Sequence, residues 1–139
     1  MRALFDTNVV LDVLLGRAPH FADSAQCMAL VSSGVVTGLL CATTVTTIHY
    51  LTERSIGSDS ALTAVTSLLK LYEVAAVDGA CLSQACAMPL GDYEDGVIHA
   101  SALAAGADCV VTRDPSGFAG SSLPTYSPAQ FAALIGSTP

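Results

Sequence analysis

Asp6, Asp95 and Asp114 are the side chains of this sequence whose types and placement can do chemistry together. Asp6 closes a short apolar run, Arg2-Ala-Leu-Phe-Asp6, that reads as a buried strand. Asp114 follows a second such run, Ala107 to Thr112. Asp95 falls in the first turn of the helix that leads into this second run. In open parallel sheets, ligands bind beyond the carboxyl ends of the strands. If the two strands are neighbours, the three carboxylates meet on one rim. Carboxylates gathered in this way repel one another, so one of them takes up a proton or a cation neutralises the group. All-oxygen donors favour Mg2+ or Mn2+. Such an ion polarises a phosphoryl oxygen and activates water. Phosphodiester cleavage is the reaction that would use the set.

Each acid also has a purely structural reading. Asp6 can cap the helix that follows it. Asp92 and Asp95 can form a capping box, with Asp95 in place of the more usual Glu. Asp114, just before Pro115, is a good N-cap. Asp12 lies a turn and a half past Asp6 and is either a solvated helix residue or a supporting acid.

The elements that must position these groups alternate along the chain. Thr7 can cap a helix with Val9, Val10, Val13 and Leu14 on one face. A helix over Phe21 to Ser33 follows, stopped by Gly34. Val35 to Ala42 is a second strand. Thr43 to Arg54 reads as a helix despite its β-branched residues, and Ser60 to Leu71 as another. Glu73 to Val77 is a third strand, with Asp78 capping a helix over Gly79 to Met88. Pro89-Leu90-Gly91 is a break. A helix from Asp92 to about Ala105 leads to the fourth strand, Ala107 to Thr112. Pro124 to Tyr126 is a short fifth. Ser127 caps a last helix with Pro128 at its first position. Continuous apolar strands alternating with helices signal a parallel sheet covered on both faces. No linker, repeat or low-complexity tract interrupts residues 1–139, so a single domain is expected.

Composition narrows the function. The chain has 139 residues, 52% of them hydrophobic and only 12% charged. That supports a packed core, and so lean a surface suits an apolar patch for a partner subunit. No apolar run is long enough for a membrane span. Asp6 and Asp12 fall where the apolar core of a signal peptide would sit, so a cytoplasmic location is expected. The five cysteines include no CxxC pair, and they read as small core residues. The net charge is −7, with Arg2, Arg17, Arg54, Lys70 and Arg113 as the only basic side chains. Binding to nucleic acid draws on phosphate contacts. Arg17, Arg54 and Arg113, each near a motif, are the candidates to supply them.

The segment Phe5-Asp6-Thr7-Asn8-Val9-Val10-Leu11-Asp12 resembles the opening of PIN-domain proteins. Asp92-Tyr93-Glu94-Asp95, followed by Gly106-Ala107-Asp108 and Val111-Thr112-Arg113-Asp114, resembles the other half of that family. There, an acid opens a helix and a strand ends in a TRD-type sequence. Tyr126-Ser127-Pro128-Ala129-Gln130-Phe131 extends the likeness. The resemblance implies a three-layer α/β/α sandwich around a parallel sheet of about five strands. It also implies an Mg2+- or Mn2+-dependent ribonuclease. Many bacterial relatives are VapC-type toxins, usually homodimeric and neutralised by a cognate antitoxin. By position, Asp6, Asp95 and Asp114 would hold the metal. Asp92 and Glu94 can assist or simply favour the helix dipole.

The sequence departs from the family at one point. Many such toxins carry a Glu after the second strand, in a Thr-x-x-Glu pattern. Here Thr46-Thr47-Ile48-His49 puts His49 there. His49 can be a neutral ligand, a proton carrier or a part-buried residue with a local partner. Glu53, one turn on, can replace the acid. His99, one turn past Asp95, is a further neighbour on the same helix face. The missing acid and scarce basic residues leave a second reading open: a degenerate PIN domain that binds RNA or a protein without catalysis. A phosphotransfer receiver also uses Asp at strand ends. It needs a Lys after its last strand, and Lys70, the only lysine, lies in a helix.

Overall fold

The computed structural model describes residues 1–88 and 91–137. Five short strands form a parallel sheet: β1 (Arg2–Phe5), β2 (Thr37–Cys41), β3 (Glu73–Ala75), β4 (Cys109–Val111) and β5 (Thr125–Tyr126). Their order across the sheet is β3-β2-β1-β4-β5. The helices are α1 (Thr7–Leu14), α2 (Phe21–Ser32), α3 (Ala42–Ile56), α4 (Ser58–Leu71), α5 (Gly79–Ala87), α6 (Tyr93–Ala104) and α7 (Pro128–Gly136). A 3-10 turn, Pro115–Phe118, follows β4. This is the α/β/α sandwich expected from the sequence. Pro89 and Leu90, part of the expected break, lie outside the described residues. Among the described residues, no helix is long and apolar enough to cross a membrane.

The strands are apolar throughout because both faces of the sheet are covered. Ala3 and Phe5 of β1, Leu40 of β2, and Cys109 and Val111 of β4 point to one side. There they join Val9, Val31, Ile48, Leu68 and Phe131 from five helices. Leu4, Leu39, Cys41 and Val110 point to the other side, against Ala85 of α5 and Val97, Ile98 and Ala102 of α6. Register fixes this division. Leu4 aligns with Leu39 on one neighbour and Val110 on the other. A slip of one residue would exchange the two cores.

Local chemistry explains where the elements differ from the sequence reading. The strands are shorter than the apolar runs. For example, the run Val35 to Ala42 narrows to Thr37–Cys41, because Ala42 already opens α3. Asp6, not Thr7, is the N-cap of α1, and its side chain accepts the Thr7 N–H. Within α3, the Thr46 and Thr47 hydroxyls donate back to the Thr43 carbonyl, at 2.9 and 3.1 Å. Thr44, Ile48 and Thr52 form its buried stripe at four-residue spacing. Tertiary burial thus overrides the weak helix propensity of the β-branched residues. Cys27, Cys41, Cys81 and Cys109 are buried, as expected, whereas Cys86 is exposed.

Phe5 ties the larger core together. Its ring meets Tyr72 and Phe131 edge-on, each at 5.8 Å between centroids. Phe131 is fully buried. Phe131→Ala is expected to lower unfolding free energy by about 3–5 kcal/mol, the range for deleting a buried aromatic ring. Urea denaturation checks this. A loss below about 1 kcal/mol would mean that α7 contributes little to the core.

Candidate functional site

The strand order reverses between β1 and β4. β1 leads outward to β2 and β3, and the chain then crosses back to place β4 on the other side of β1. A crevice opens at such a switch point, beyond the carboxyl ends of the strands. Here it is a cavity of about 320 Å3, with Asp6, Asp92, Glu94, Asp95 and Asp114 in its walls. Asn8, Leu11, Arg17, Thr47, Leu51 and Phe118 complete much of the lining.

Each acid is held by its own element. Asp6 follows β1 directly and is only 8% exposed. Its Oδ1 accepts the Thr7 N–H at 2.8 Å, and its Oδ2 accepts the Thr112 hydroxyl, also at 2.8 Å. The Thr112 hydroxyl in turn accepts the Asp114 N–H at 3.0 Å. One buried hydroxyl therefore links the segments that follow β1 and β4. Asp92 is the N-cap of α6, and its Oδ1 accepts the Asp95 N–H at 2.8 Å. This leaves the Asp95 carboxylate free to face the cavity. Asp114 stands at the N-cap of the 3-10 turn, but its carboxylate accepts the Ser116 hydroxyl and makes no backbone cap bond.

The carboxylates feel one another. Burial, followed by the charges of Asp92, Asp6, Glu94 and Asp114, pushes Asp95 up to about 7. Burial raises Asp6 as well; its two hydrogen bonds oppose this, and Asp114 and Asp92 add to it. Burial, then Asp92 and Asp6, raises Glu94. Arg17 is the only basic side chain in the described lining.

The donor set suits a hard divalent cation. Among the described residues, no three Asp, Glu, His or Cys side chains are already arranged to hold a metal ion. The fit instead shows in the space beside Gly117. A Cβ built there would lie 2.7 Å from Asp95 Oδ2 and 3.5 Å from Asp114 Oδ2. Only glycine leaves that point open to both carboxylates. Together with their mutual repulsion, this makes the group compatible with Mg2+ or Mn2+.

The other residues singled out in the sequence lie elsewhere. Asp12 is neither solvated nor in the cavity wall. It is fully buried, with Oδ2 2.7 Å from Arg113 Nε and 3.2 Å from the Ser24 hydroxyl. Arg113 is thus drawn away from the cavity by a buried partner. His49 and Glu53 sit beside each other on α3, 3.8 Å apart, while Thr47 and Leu51 face the cavity. Arg54 lies over the exposed Tyr50 ring, with 5.5 Å to its centroid. His99 is 5% exposed. Its Nδ1 is 3.3 Å from Met88 Sδ, and its Nε2 is 3.4 Å from the Ser122 hydroxyl. Burial lowers its pKa.

Thr112 and Gly117 were not singled out as site residues from the sequence. Thr112 did lie within the strand-end motif, and a hydroxyl two residues before Asp114 was the available signal. Gly117 carries no signal of its own, since its role depends on contact with α6.

Several known proteins share this fold. A family model described as PIN domain matches residues 2–116. No curated protein matches the chain. Among solved structures, FitAcB from Neisseria gonorrhoeae superposes with a TM-score of 0.70 at 21% identity, covering 91% of this chain and 97% of that one. VapBC2 from Rickettsia felis, bound to a DNA fragment from its promoter, gives 0.65 at 15% identity, covering 90% and 97%. VapC20 from Mycobacterium tuberculosis, a sarcin–ricin loop cleaving toxin, gives 0.66 at 16% identity, covering 86% and 95%. At these identities the likeness is one of fold.

Two outcomes follow from the site. Asp95 protonates far more readily in the folded chain than at its ordinary value of 3.8. Its stabilising contribution is therefore complete below about pH 4 and is lost as pH rises through about 7. Thermal melting in EDTA should show a steeper fall in Tm between pH 5 and pH 8 for the wild type than for Asp95→Asn. Mn2+ should restore the wild type at pH 8; equal slopes would contradict the coupling. Thr112→Val should weaken Mn2+ binding about 10- to 100-fold in calorimetry, the usual cost of losing a residue that orients a ligand. Unchanged affinity would free Asp6 from dependence on that hydroxyl.

Proposed function

Because the chain belongs to the PIN domain family, we propose that it is a divalent-metal-dependent endoribonuclease, the toxin of a type II toxin–antitoxin pair. The observation that carries this reading is the gathering of Asp6, Asp95 and Asp114 around one cavity at the β1/β4 switch point. Burial there, together with the neighbouring carboxylate charges, raises Asp95 to about 7.

In this reading Asp6, Asp95 and Asp114 hold Mg2+ or Mn2+, and Asp92 and Glu94 support them. The bound cation supplies Lewis-acid polarisation of a phosphoryl oxygen and a water of lowered pKa. The protein's own residues prepare that chemistry. Thr112 and the Thr7 N–H fix the Asp6 carboxylate, so little reorganisation is needed when charge develops. Asp92 caps α6 and so sets the position of Asp95. Arg17, on the same cavity wall, neutralises a phosphate oxygen of the RNA. Phe118 and Leu11 close the apolar side of the cavity and limit water.

Structural relatives support the partner assignment. One is a toxin–antitoxin complex from Klebsiella pneumoniae, with a TM-score of 0.68 at 17% identity. We assign this chain a cognate antitoxin, a homodimeric state, a cytoplasmic location and a single domain over residues 1–139.

One observation favours a non-catalytic RNA- or protein-binding role instead. Among the described lining residues, α3 contributes Thr47 and Leu51 but no acid. Cleavage of a mixed RNA panel in Mn2+ and in EDTA separates the two readings. The nuclease should cut only with metal, and Asp6→Asn should slow it by about 100-fold or more, the scale for losing one group that stabilises transition-state charge. Undiminished cleavage by Asp6→Asn would overturn the assignment. Absence of both cleavage and Mn2+ binding would favour the non-catalytic role.

A further inference from the structure

A second hollow, of about 240 Å3, adjoins the carboxylate cavity, and the two share Thr47 and Glu94 in their walls. Its chemistry differs from that of the first. Leu82 of α5 and Val97 of α6 give it apolar sides, and Thr43 and Thr46 of α3 add hydroxyls. Tyr93 completes it. This tyrosine is 51% exposed, yet its hydroxyl donates to the Leu82 carbonyl at 3.0 Å. The ring is therefore both accessible and held in place.

No Lys or Arg stands in this wall among the described residues. A phosphate would find no cation there and would meet the Glu94 carboxylate. A nucleobase fits better, because it has an apolar face and a polar edge. A fixed aromatic ring offers the face a stacking surface. Threonine hydroxyls bond to base edges, and a carboxylate accepts from an exocyclic amino group. The shared wall gives the connection. A strand whose phosphate lies in the carboxylate cavity leads its neighbouring base over Thr47 and Glu94 into the hollow. Only an unpaired base can splay out in this way.

We propose that this hollow is a nucleobase subsite for single-stranded RNA, in which Tyr93 stacks on the base next to the scissile phosphate. The proposal rests on the ribonuclease reading above, but its test does not depend on cleavage. Fluorescence anisotropy with a short labelled single-stranded RNA measures binding by the wild type, Tyr93→Ala and Tyr93→Phe. A parallel series carries one abasic position walked along the strand. Tyr93→Ala should weaken binding about 5- to 100-fold, the range for losing one base–aromatic stack. Tyr93→Phe, which keeps the ring, should retain most of the affinity. One abasic position should cost the wild type a similar factor and cost Tyr93→Ala nothing more.

Equal binding by wild type and Tyr93→Ala would overturn the subsite. So would an abasic penalty that survives undiminished in Tyr93→Ala, or failure of the wild type to bind RNA at all. The expected binding pattern without any Mn2+-dependent cleavage would overturn the ribonuclease reading alone and leave the subsite standing.

Discussion

Five carboxylates share one cavity in a chain with few basic residues, and the fold must hold them there against their mutual repulsion. Hydrogen bonds do much of the holding. Asp6 is clamped by a backbone N–H and by the Thr112 hydroxyl, and that hydroxyl also takes the Asp114 N–H. A buried hydroxyl can donate once and accept as well. Thr112 uses both capacities to tie the end of β1 to the end of β4. Burial, and after it the remaining repulsion, makes these carboxyl groups hold their protons more tightly than usual, Asp95 most clearly.

That arrangement is affordable because the apolar layers beneath it are continuous. Phe5, one residue before Asp6, is wedged between Tyr72 and Phe131. Leu4, two residues before it, packs into the opposite core. The strand cannot slide to relieve the charge without moving both cores. A second constraint lies at α1, where the fully buried Asp12 pairs with the half-buried Arg113. It connects α1 to the same post-β4 segment that carries Asp114. Removing Arg113 would leave the buried Asp12 charge without its counterion, so the two segments are held in this arrangement. Arg113 is thereby committed to architecture, which leaves Arg17 to face the cavity.

The two hollows at the switch point divide the chemistry between them. The first concentrates negative oxygen donors. The second, across Thr47 and Glu94, has no charged group apart from that shared acid and mixes apolar sides with hydroxyls. α3 borders both, yet gives them only hydroxyl and apolar groups. His49 and Glu53, which the sequence suggested as substitutes for a further acid, face each other instead. The reason is helical geometry. Thr47 and Leu51 are four residues apart and share the cavity-facing side, and His49 and Glu53 fall on a different one.

The sequence by itself determined the alternation of strands and helices, the parallel sheet and the three acids at its rim. Those features are local. Apolar runs mark doubly covered strands, and caps such as Asp92 and Ser127 mark helix starts within a few residues. The tertiary structure alone decided what depends on distant partners. It set which strands are neighbours, and so whether Asp6 and Asp114 meet. It turned Asp12 inward to Arg113, a pairing across some hundred residues that no local pattern encodes. It sent His99 to Met88 and Ser122. It also opened the point beside Gly117 that two carboxylates approach. Local spacing can assign a residue to a helix face, but what that face meets is settled only when the layers pack.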